Sequence, residues 1–197
     1  FLAVGRVLLR DHRLVCFTLG GVLSAVVFGQ FTAWLSQYLV TTTTAEYTYT
    51  VVSAVLTTNA VLVIALQYVI GRRISHRYLG QWLIAGLGMF MLGIVGFALS
   101  TSVLWWVLAM AVFTVGEIIV FPAEYMFIDR IAPDHLRGMY YGAQNLSNLG
   151  AALGPVLCGL VLASLPAHYM FLMLGAFIVA GGVFYFIGAS LKASHPA

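Results

Sequence analysis

Six long apolar stretches alternate with short polar gaps along this chain of 197 residues. Each stretch has about 20 residues or more, and a helix that rises 1.5 Å per residue then crosses a hydrocarbon core about 30 Å thick. Strands of a membrane barrel would instead show segments of about ten residues with alternating polarity, a pattern these stretches lack. We therefore predict an all-α membrane protein with six transmembrane helices, over residues 14–40, 49–70, 78–99, 104–128, 139–163 and 169–190.

The basic residues divide the gaps into two kinds. All nine Lys and Arg residues lie in four gaps, residues 1–13, 71–77, 129–138 and 191–197. The three intervening gaps, residues 41–48, 100–103 and 164–168, contain none. Because basic residues concentrate in cytoplasmic loops, this alternation predicts that both ends of the chain are cytoplasmic. The predicted domains are a cytoplasmic segment 1–13, a membrane domain 14–190 and a cytoplasmic tail 191–197.

Composition excludes a water-soluble domain, since 62% of the residues are hydrophobic and 8% are charged, against about 25% charged residues in soluble proteins. The net charge of +3 follows from the cytoplasmic arginines and indicates contact with the anionic headgroups of a lipid bilayer rather than with nucleic acid. Cys16 and Cys158 both lie in predicted spans, so we predict no disulfide framework. Because the chain begins with Phe1 rather than Met, we expect a fragment of a longer protein.

Aromatic residues cluster near the ends of the spans, as is typical of the two membrane interfaces. The predicted outer belt comprises Tyr38, Tyr47, Trp105, Trp106 and Tyr169. The predicted inner belt comprises Tyr68, Tyr78, Trp82, Tyr140 and Tyr185. Both belts support the limits given for the spans.

The six spans divide into two sets of three with nearly equal length, 14–99 and 104–190. Three is an odd number, so the second set enters the membrane from the opposite side. This is the arrangement of an inverted repeat, which is common in transporters that bind substrate near the membrane midplane between repeats.

Glu117 is the acid that lies deepest in a predicted span. It is about 17 Å of helix rise from the cytoplasmic end of the fourth span, close to the midplane. A charged carboxylate there costs at least about 2.5 kcal/mol, and no span contains a Lys or Arg. A protonated carboxyl, a water-filled cavity or a partner from another chain would each accommodate it. The purely structural alternative is a hydrogen bond to a neighbouring helix, and we favour a functional site.

Glu124 lies seven residues beyond Glu117, with Pro122 between them, which we expect to kink the helix. Glu117, Glu124 and Asp129 then form a ladder of acids that leads towards the cytoplasm. In the alternative that we favour, Glu124 and Asp129 pair with arginines at the interface, because charges there reach water at little cost.

The first span places Gln30, Trp34 and Gln37 on one face of a helix, at positions i, i+4 and i+7. Two amides and an indole suit a cavity for an amphipathic ligand. A place for Trp34 in the outer belt and hydrogen bonds between helices for the glutamines is an equally weighted alternative. Asn59 and Asn148 are further polar groups within spans, for which hydrogen bonding between helices is favoured.

The fifth span contains closely spaced small residues, Gly150, Gly154 and Gly159, together with Pro155. Small residues four apart allow two helices to approach closely, and a Gly-Pro pair favours a bend. The run is similar to the pattern G-x-x-x-G-P-x-x-G-G of drug:proton antiporters, with Cys158 in place of one glycine. Segments 6–13, 116–122 and 131–138 carry the same resemblance.

Over essentially its whole length the chain resembles the C-terminal six-helix half of a major facilitator superfamily transporter, most like the twelve-helix drug:proton antiporters. The turn 71–77 is similar to a loop of that family, G-x-x-x-D-R-x-G-R-[KR], but lacks its Asp. The resemblance implies two inverted three-helix repeats and alternating access between this half and an N-terminal six-helix half. It implies a small-molecule substrate and protons as partners, and no cofactor or metal.

The resemblance also implies roles for particular residues. Glu117 would couple protons or bind substrate. The cavity would be lined by Gln30, Trp34, Gln37, Asn59 and Asn148. A pliable helix that seals one side would contain Gly150, Gly154, Pro155 and Gly159. A cytoplasmic gate would contain Arg72, Arg73, Glu124, Asp129 and Arg137.

The function expected from these observations is proton-coupled multidrug efflux across a bacterial inner membrane. Proton-coupled uptake of a sugar, peptide or organic ion remains an alternative, as does a six-span membrane protein that transports nothing. An enzyme is not expected, because Ser24 and Ser53 lack the glycine setting of intramembrane serine proteases and the five histidines lie in loops and at ends of spans. The paired N-P-A boxes of aquaporins are also missing from the sequence.

Overall fold

The computed structural model describes residues 11–191, and within this range all regular structure is helical. Most of the predicted cytoplasmic segment 1–13 and of the tail 191–197 lies outside the described residues, including Arg6, Arg10 and Lys192. The α-helices are α1 (His12–Phe28), α2 (Phe31–Thr42), α3 (Ala45–Gly71), α4 (Leu79–Leu99), α5 (Val103–Ile131), α6 (Arg137–Gln144), α7 (Asn148–Ser164) and α8 (His168–Ser190).

These helices form the six predicted spans within the described residues. Five segments are long and apolar enough to cross a membrane, namely Ala45–Gly71, His76–Leu99, Val103–Ile131, Asp134–Ser164 and His168–Ser190. The bent pair formed by α1 and α2 is long and apolar enough when taken together, and it is the candidate for the sixth span. The structure thus confirms an all-α membrane fold, with span limits within a few residues of those predicted.

The first span is not the single helix that we predicted over residues 14–40. Helices α1 and α2 meet at an angle of 42°, and Gln30 at the break has non-helical dihedral angles, φ −140° and ψ 48°. Gly29, which has low helix propensity, lies against Ala151 of α7, and a Cβ atom at Gly29 would overlap the Ala151 side chain. The break therefore falls where a neighbouring helix needs a residue without a side chain.

The indole of Trp34 compensates for part of the backbone hydrogen bonding lost at this break. Its Nε1 donates to the carbonyl oxygen of Val27 at 2.8 Å. Trp34 is fully buried, and its ring lies 6.1 Å from that of Phe97 and 6.4 Å from that of Phe171. This residue therefore belongs to the aromatic core rather than to an outer belt.

Packing between spans follows the expected inverted repeat. Helix α4 of the third span packs against α5 of the fourth, as α8 of the sixth packs against α1 of the first. The second span contacts the fourth in the same way that the fifth contacts the first. The third and sixth spans meet each other at the centre of this pattern. Each three-helix set thus contributes equivalent interfaces.

Glycines bring the first and fifth spans into backbone contact. A Cβ atom at Gly150 would overlap the carbonyl oxygen of Val22, and one at Gly154 would lie 2.5 Å from the carbonyl oxygen of Val26. Such close approach depends on small residues, and dispersion contacts along it hold helices together in a membrane. The antiporter-like run in α7 therefore has a defined packing role, and α7 continues as a helix through Pro155.

Candidate functional site

Glu117 and Asn59 join the fourth span to the second. The Nδ2 of Asn59 donates to the Glu117 carboxylate at 2.8 Å and lies 3.1 Å from the hydroxyl of Thr114. Thr114 in turn donates to the Met110 carbonyl within its own helix, at 2.8 Å. Asn59 thus makes a hydrogen bond between two helices, the role that we favoured for it from the sequence.

A groove of about 220 Å³ opens beside the half-buried Glu117. Ligand pockets usually measure about 300–1,000 Å³ and enclose most of the ligand. The groove is smaller than such a pocket, and we interpret it as one wall of a binding site. The wall combines one carboxyl and one amide with apolar side chains. Its lining residues are Val63, Gln67, Glu117, Ile118, Phe121 and Pro122.

The described residues supply Glu117 with an amide donor and no cation. In residues 11–191 the side-chain ion pairs are those of Arg137 with Asp129 and with Asp134. Both pairs lie near or after the C-terminal end of α5, at least twelve residues along the chain from Glu117. A carboxyl at this depth is therefore left to take a proton, a cationic ligand or a group from outside the described residues.

Glu124 is buried, contrary to the interfacial pairing with arginine that we favoured. Its side chain is 2% exposed. The Tyr185 hydroxyl donates a hydrogen bond to one carboxyl oxygen, and the Gln144 Nε2 donates to the other at 3.3 Å. Helix α5 extends to Ile131, so Glu124 lies about two turns inside the helix rather than at its end. Its predicted place at an interface is therefore wrong, whereas its part in a gate stays a prediction.

Asp129 does pair with an arginine near the C-terminal end of α5, as we favoured. Its carboxylate accepts a hydrogen bond from the Tyr141 hydroxyl at 3.0 Å and lies 3.6 Å from Nε of Arg137. Arg137 also lies 3.1 Å from Asp134. These residues join the fourth and fifth spans through an exposed polar cluster.

Arg72 and Arg73 of the second basic gap are exposed and make no ion pair within the described residues. The Arg72 guanidinium lies over the ring of Tyr68, 5.7 Å from its centroid. Of the predicted gate residues, Asp129 and Arg137 thus lie in one cluster. Arg72 and Arg73 lie in the loop between the second and third spans.

Gln30, Trp34 and Gln37 do not share one helical face, because the break between α1 and α2 separates the first from the others. Gln30 is exposed at the break, whereas Trp34 is fully buried. The Gln37 side chain is 3.8 Å from a Cβ built at Gly159 of α7, and its Oε1 is buried without a hydrogen-bond partner in the described residues. Asn148 is exposed at the start of α7.

Sequence reasoning assigned Trp106, Tyr140 and Tyr185 to the interfacial belts, but all three are at most 3% exposed. Tyr185 binds Glu124, and the Tyr140 hydroxyl donates to the Asp11 carboxylate at 2.6 Å. Asp11 also caps α1 by accepting from the backbone N–H of Arg13 at 3.0 Å. The sequence contained a signal for this cap, because Asp11 comes just before an apolar stretch. It contained no signal for the hydrogen bonds of the two tyrosines.

Comparison with known proteins agrees with this architecture. The family model for the Major Facilitator Superfamily matches residues 1–148. An uncharacterized MFS-type transporter of Escherichia coli K12, YdeE, is 43% identical over 90% of this chain and 45% of its own length. A Na(+), Li(+), K(+)/H(+) antiporter of Planococcus maritimus is 26% identical over 91% of this chain and 45% of its own length. The uncharacterized MFS-type transporter YqjV of Bacillus subtilis is 27% identical over 77% of this chain and 37% of its own length. The chain thus spans somewhat less than half the length of these relatives.

Proposed function

The chain belongs to the Major Facilitator Superfamily of membrane transporters, and on that premise we propose that it is the C-terminal half of a proton-coupled secondary transporter. The proposed transporter exports a small amphipathic organic solute by alternating access, with Glu117 as the residue that exchanges a proton for the substrate. Residues 14–190 would form the membrane domain, and both ends would lie in the cytoplasm of a bacterial cell, in keeping with its bacterial relatives.

The observation that carries this proposal is the setting of Glu117. The carboxyl lies midway along α5, is half-buried beside a groove and accepts a hydrogen bond from a neutral amide. Intramembrane acids with this combination of depth and access are typical of proton and substrate pathways. A carboxyl that binds either a proton or a cationic solute provides the exchange that antiport requires.

The composition of the groove favours an amphipathic solute. Phe121 and Pro122 offer apolar contacts, while Gln67 and Glu117 offer hydrogen bonds and charge. Small-molecule sites commonly combine a mostly apolar wall with a few placed polar groups. An organic cation with an apolar body satisfies both requirements.

We infer that the groove is completed by an N-terminal six-helix half. In the apolar windows of the second and fifth spans, 11% and 17% of residues are buried, against 39–50% in the third, fourth and sixth. Polar side chains on these two spans are exposed at membrane depth, which is costly unless water or protein covers them. Relatives that are about twice as long supply a second half of suitable size. The exposed amide side chains on these two spans are those of Gln67, Asn145 and Asn148.

The remaining predicted residues are proposed to serve the conformational change. Arg72, Arg73, Asp129 and Arg137 would form contacts at the cytoplasmic gate, which the exposed Asp129 cluster makes geometrically feasible. Gly150, Gly154, Pro155 and Gly159 would let α7 slide against the first span. Gln30, Gln37, Asn59 and Asn148 would contribute to the cavity during the cycle.

Exchange of alkali cations for protons is the second candidate, favoured by the relative from Planococcus maritimus that is named as such an antiporter. The same carboxyl would then bind Na⁺ in place of an organic cation. The Thr114 hydroxyl belongs to the same hydrogen-bonded group, and carboxylate and hydroxyl oxygens are suitable ligands for hard cations.

Flux in proteoliposomes tests both candidates. The full-length protein that contains this chain is reconstituted and given an imposed pH gradient, with a lipophilic organic cation or Na⁺ as the transported probe. We expect gradient-driven flux of the organic cation, its loss in Glu117→Gln, and its retention in Glu46→Gln, which makes the same change at an exposed helix start. Flux of Na⁺ alone would favour the second candidate. Undiminished flux in Glu117→Gln would remove this residue from the mechanism.

A further inference from the structure

Glu124 is held at both carboxyl oxygens in the interior of the six-helix unit. Tyr185 of α8 donates to Oε1, and Gln144 of α6 donates to Oε2 at 3.3 Å. Gln144 is fully buried and Tyr185 is 3% exposed. Glu117 differs, because its carboxyl borders an open groove. One helix thus carries two acids about 10 Å apart along its axis, in opposite environments.

The helices around Glu124 bring no cation to it within the described residues. From α1, the ring of Phe17 stacks on Phe127, with centroids 3.6 Å apart, and Arg13 lies over that ring at 5.7 Å. Helix α4 has no titratable side chain between Leu79 and Leu99.

The other neighbouring elements give the same result. From α8, the titratable group in contact with Glu124 is Tyr185. On α6, Arg137 pairs with Asp129 and Asp134, Tyr141 binds Asp129, and Tyr140 binds Asp11. Tyr185 is therefore the titratable partner of the buried carboxyl in residues 11–191.

We propose that Glu124 is a second proton-binding site, enclosed within this half of the transporter and separate from Glu117. A proton is the ligand that suits a carboxyl closed in by packed side chains, because it needs no additional volume. A charged carboxylate buried without a cation is costly, and uptake of a proton from water removes that charge by forming one O–H bond at a carboxyl oxygen. Release returns the proton to water, so the step balances without any co-reactant.

Gln144 equips the site to hold both protonation states. Its Oε1 is buried and accepts no hydrogen bond in the described residues. When Glu124 is ionised, the amide Nε2 donates to Oε2. When that oxygen carries a hydrogen, rotation of the amide about its terminal bond presents Oε1 as the acceptor. Tyr185 donates to the other carboxyl oxygen in both states.

The site ties together three helices, since α5 carries the carboxyl, α6 the amide and α8 the phenol. Its occupancy therefore sets how α6 and α8 are hydrogen-bonded to α5. Proton binding at Glu124 stands independently of the proposed transport function, and only its part in a transport cycle rests on that function.

Infrared difference spectroscopy of the full-length protein, recorded between acidic and alkaline pH, tests the proposal. We expect a carboxylic acid C=O band that is lost in Glu124→Gln and retained in Glu117→Gln. Tyr185→Phe should move the band to higher frequency, because the carboxyl loses a hydrogen-bond donor. Tyr49→Phe, a change at a tyrosine that is 76% exposed, should leave it in place.

Two results would overturn the proposal. One is a Glu124→Gln spectrum identical to that of the unmodified protein, and the other is a band that Tyr185→Phe leaves unmoved. The Tyr185 variant keeps the test decisive if Glu124→Gln does not fold. Failure of Glu117→Gln to alter transport, with the Glu124 band intact, would instead count against the proposed function alone.

Discussion

The side-chain amide of Asn59 donates a hydrogen bond to the carboxylate of Glu117, 2.8 Å away across the interface of the second and fourth spans. The donor is neutral, so it orients the carboxyl without cancelling its charge. The residues described here place no cation beside it. Glu117 is thereby fixed in position at the groove and remains able to bind a proton or a cationic solute. A carboxyl that is oriented without being neutralised fits the exchange role proposed for Glu117.

The charge pattern predicts which loops face the cytoplasm. In a cysteine-free full-length background, His76→Cys and His135→Cys should react with a membrane-impermeant maleimide only when it is supplied from the cytoplasmic side. Thr42→Cys and Thr101→Cys should react only from the opposite side. All four positions are exposed in loops or at helix ends, so access is limited by the membrane. Reaction of both sets from one side would contradict the six-span topology.

Gly150 should tolerate no larger residue. A Cβ atom there would overlap the Val22 carbonyl oxygen, and overpacking of this kind costs about 1–3 kcal/mol. We expect Gly150→Ala to lower the free energy of unfolding of the detergent-purified protein by an amount in that range. Gly88→Ala is the matched control, since a Cβ at Gly88 has no neighbour within 4 Å. Equal stability of the two variants would show that the first and fifth spans are not in backbone contact.

Trp34→Phe should destabilise the bent first span. The substitution removes the donor to the Val27 carbonyl, and an unsatisfied buried polar group costs about 1–3 kcal/mol. Trp106→Phe makes the same change in volume at another buried residue, which is 3% exposed and whose indole makes no hydrogen bond within the described residues. The larger loss of stability is expected for Trp34, as measured by thermal unfolding. A larger loss for Trp106 would refute the role given to the indole nitrogen.

A double-mutant cycle measures the contact between Glu124 and Tyr185. Because their hydrogen bond is buried, Tyr185→Phe should destabilise the unmodified protein more than it destabilises Glu124→Gln. We expect a coupling energy of about 1–2 kcal/mol, at the upper end of values between membrane helices. The measurement is the unfolding free energy of the four proteins in mixed micelles. Additive effects of the two substitutions would mean that the contact contributes nothing to stability.

The sequence predicted the large features well because they follow from strong physical constraints. An apolar helix must be long enough to cross the bilayer, so the limits of the six spans could be predicted to within a few residues. The position of Glu117 midway along the fourth span followed from the same geometry. The position of its partner Asn59 did not, because a contact across 58 residues depends on how helices pack.

The errors share one cause, which is that periodicity says nothing about the surroundings of a side chain. Glu124 lies near the end of an apolar stretch, where acids usually reach water, but it is buried and is hydrogen-bonded by side chains from α6 and α8. Tyr185 was assigned to an interfacial belt for the same reason. The break after Phe28 was missed because its cause, the close approach of α7 at Gly29, lies in another part of the chain.

Proton release on substrate binding tests most directly whether Glu117 carries the coupling proton. The purified full-length protein is placed in weakly buffered detergent solution with a pH-sensitive dye, and a transported organic cation is added. We predict that the unmodified protein and the Glu46→Gln control acidify the solution, because the bound cation displaces a proton, whereas Glu117→Gln binds the cation without acidification or not at all. Acidification by Glu117→Gln equal to that of the unmodified protein would contradict the account.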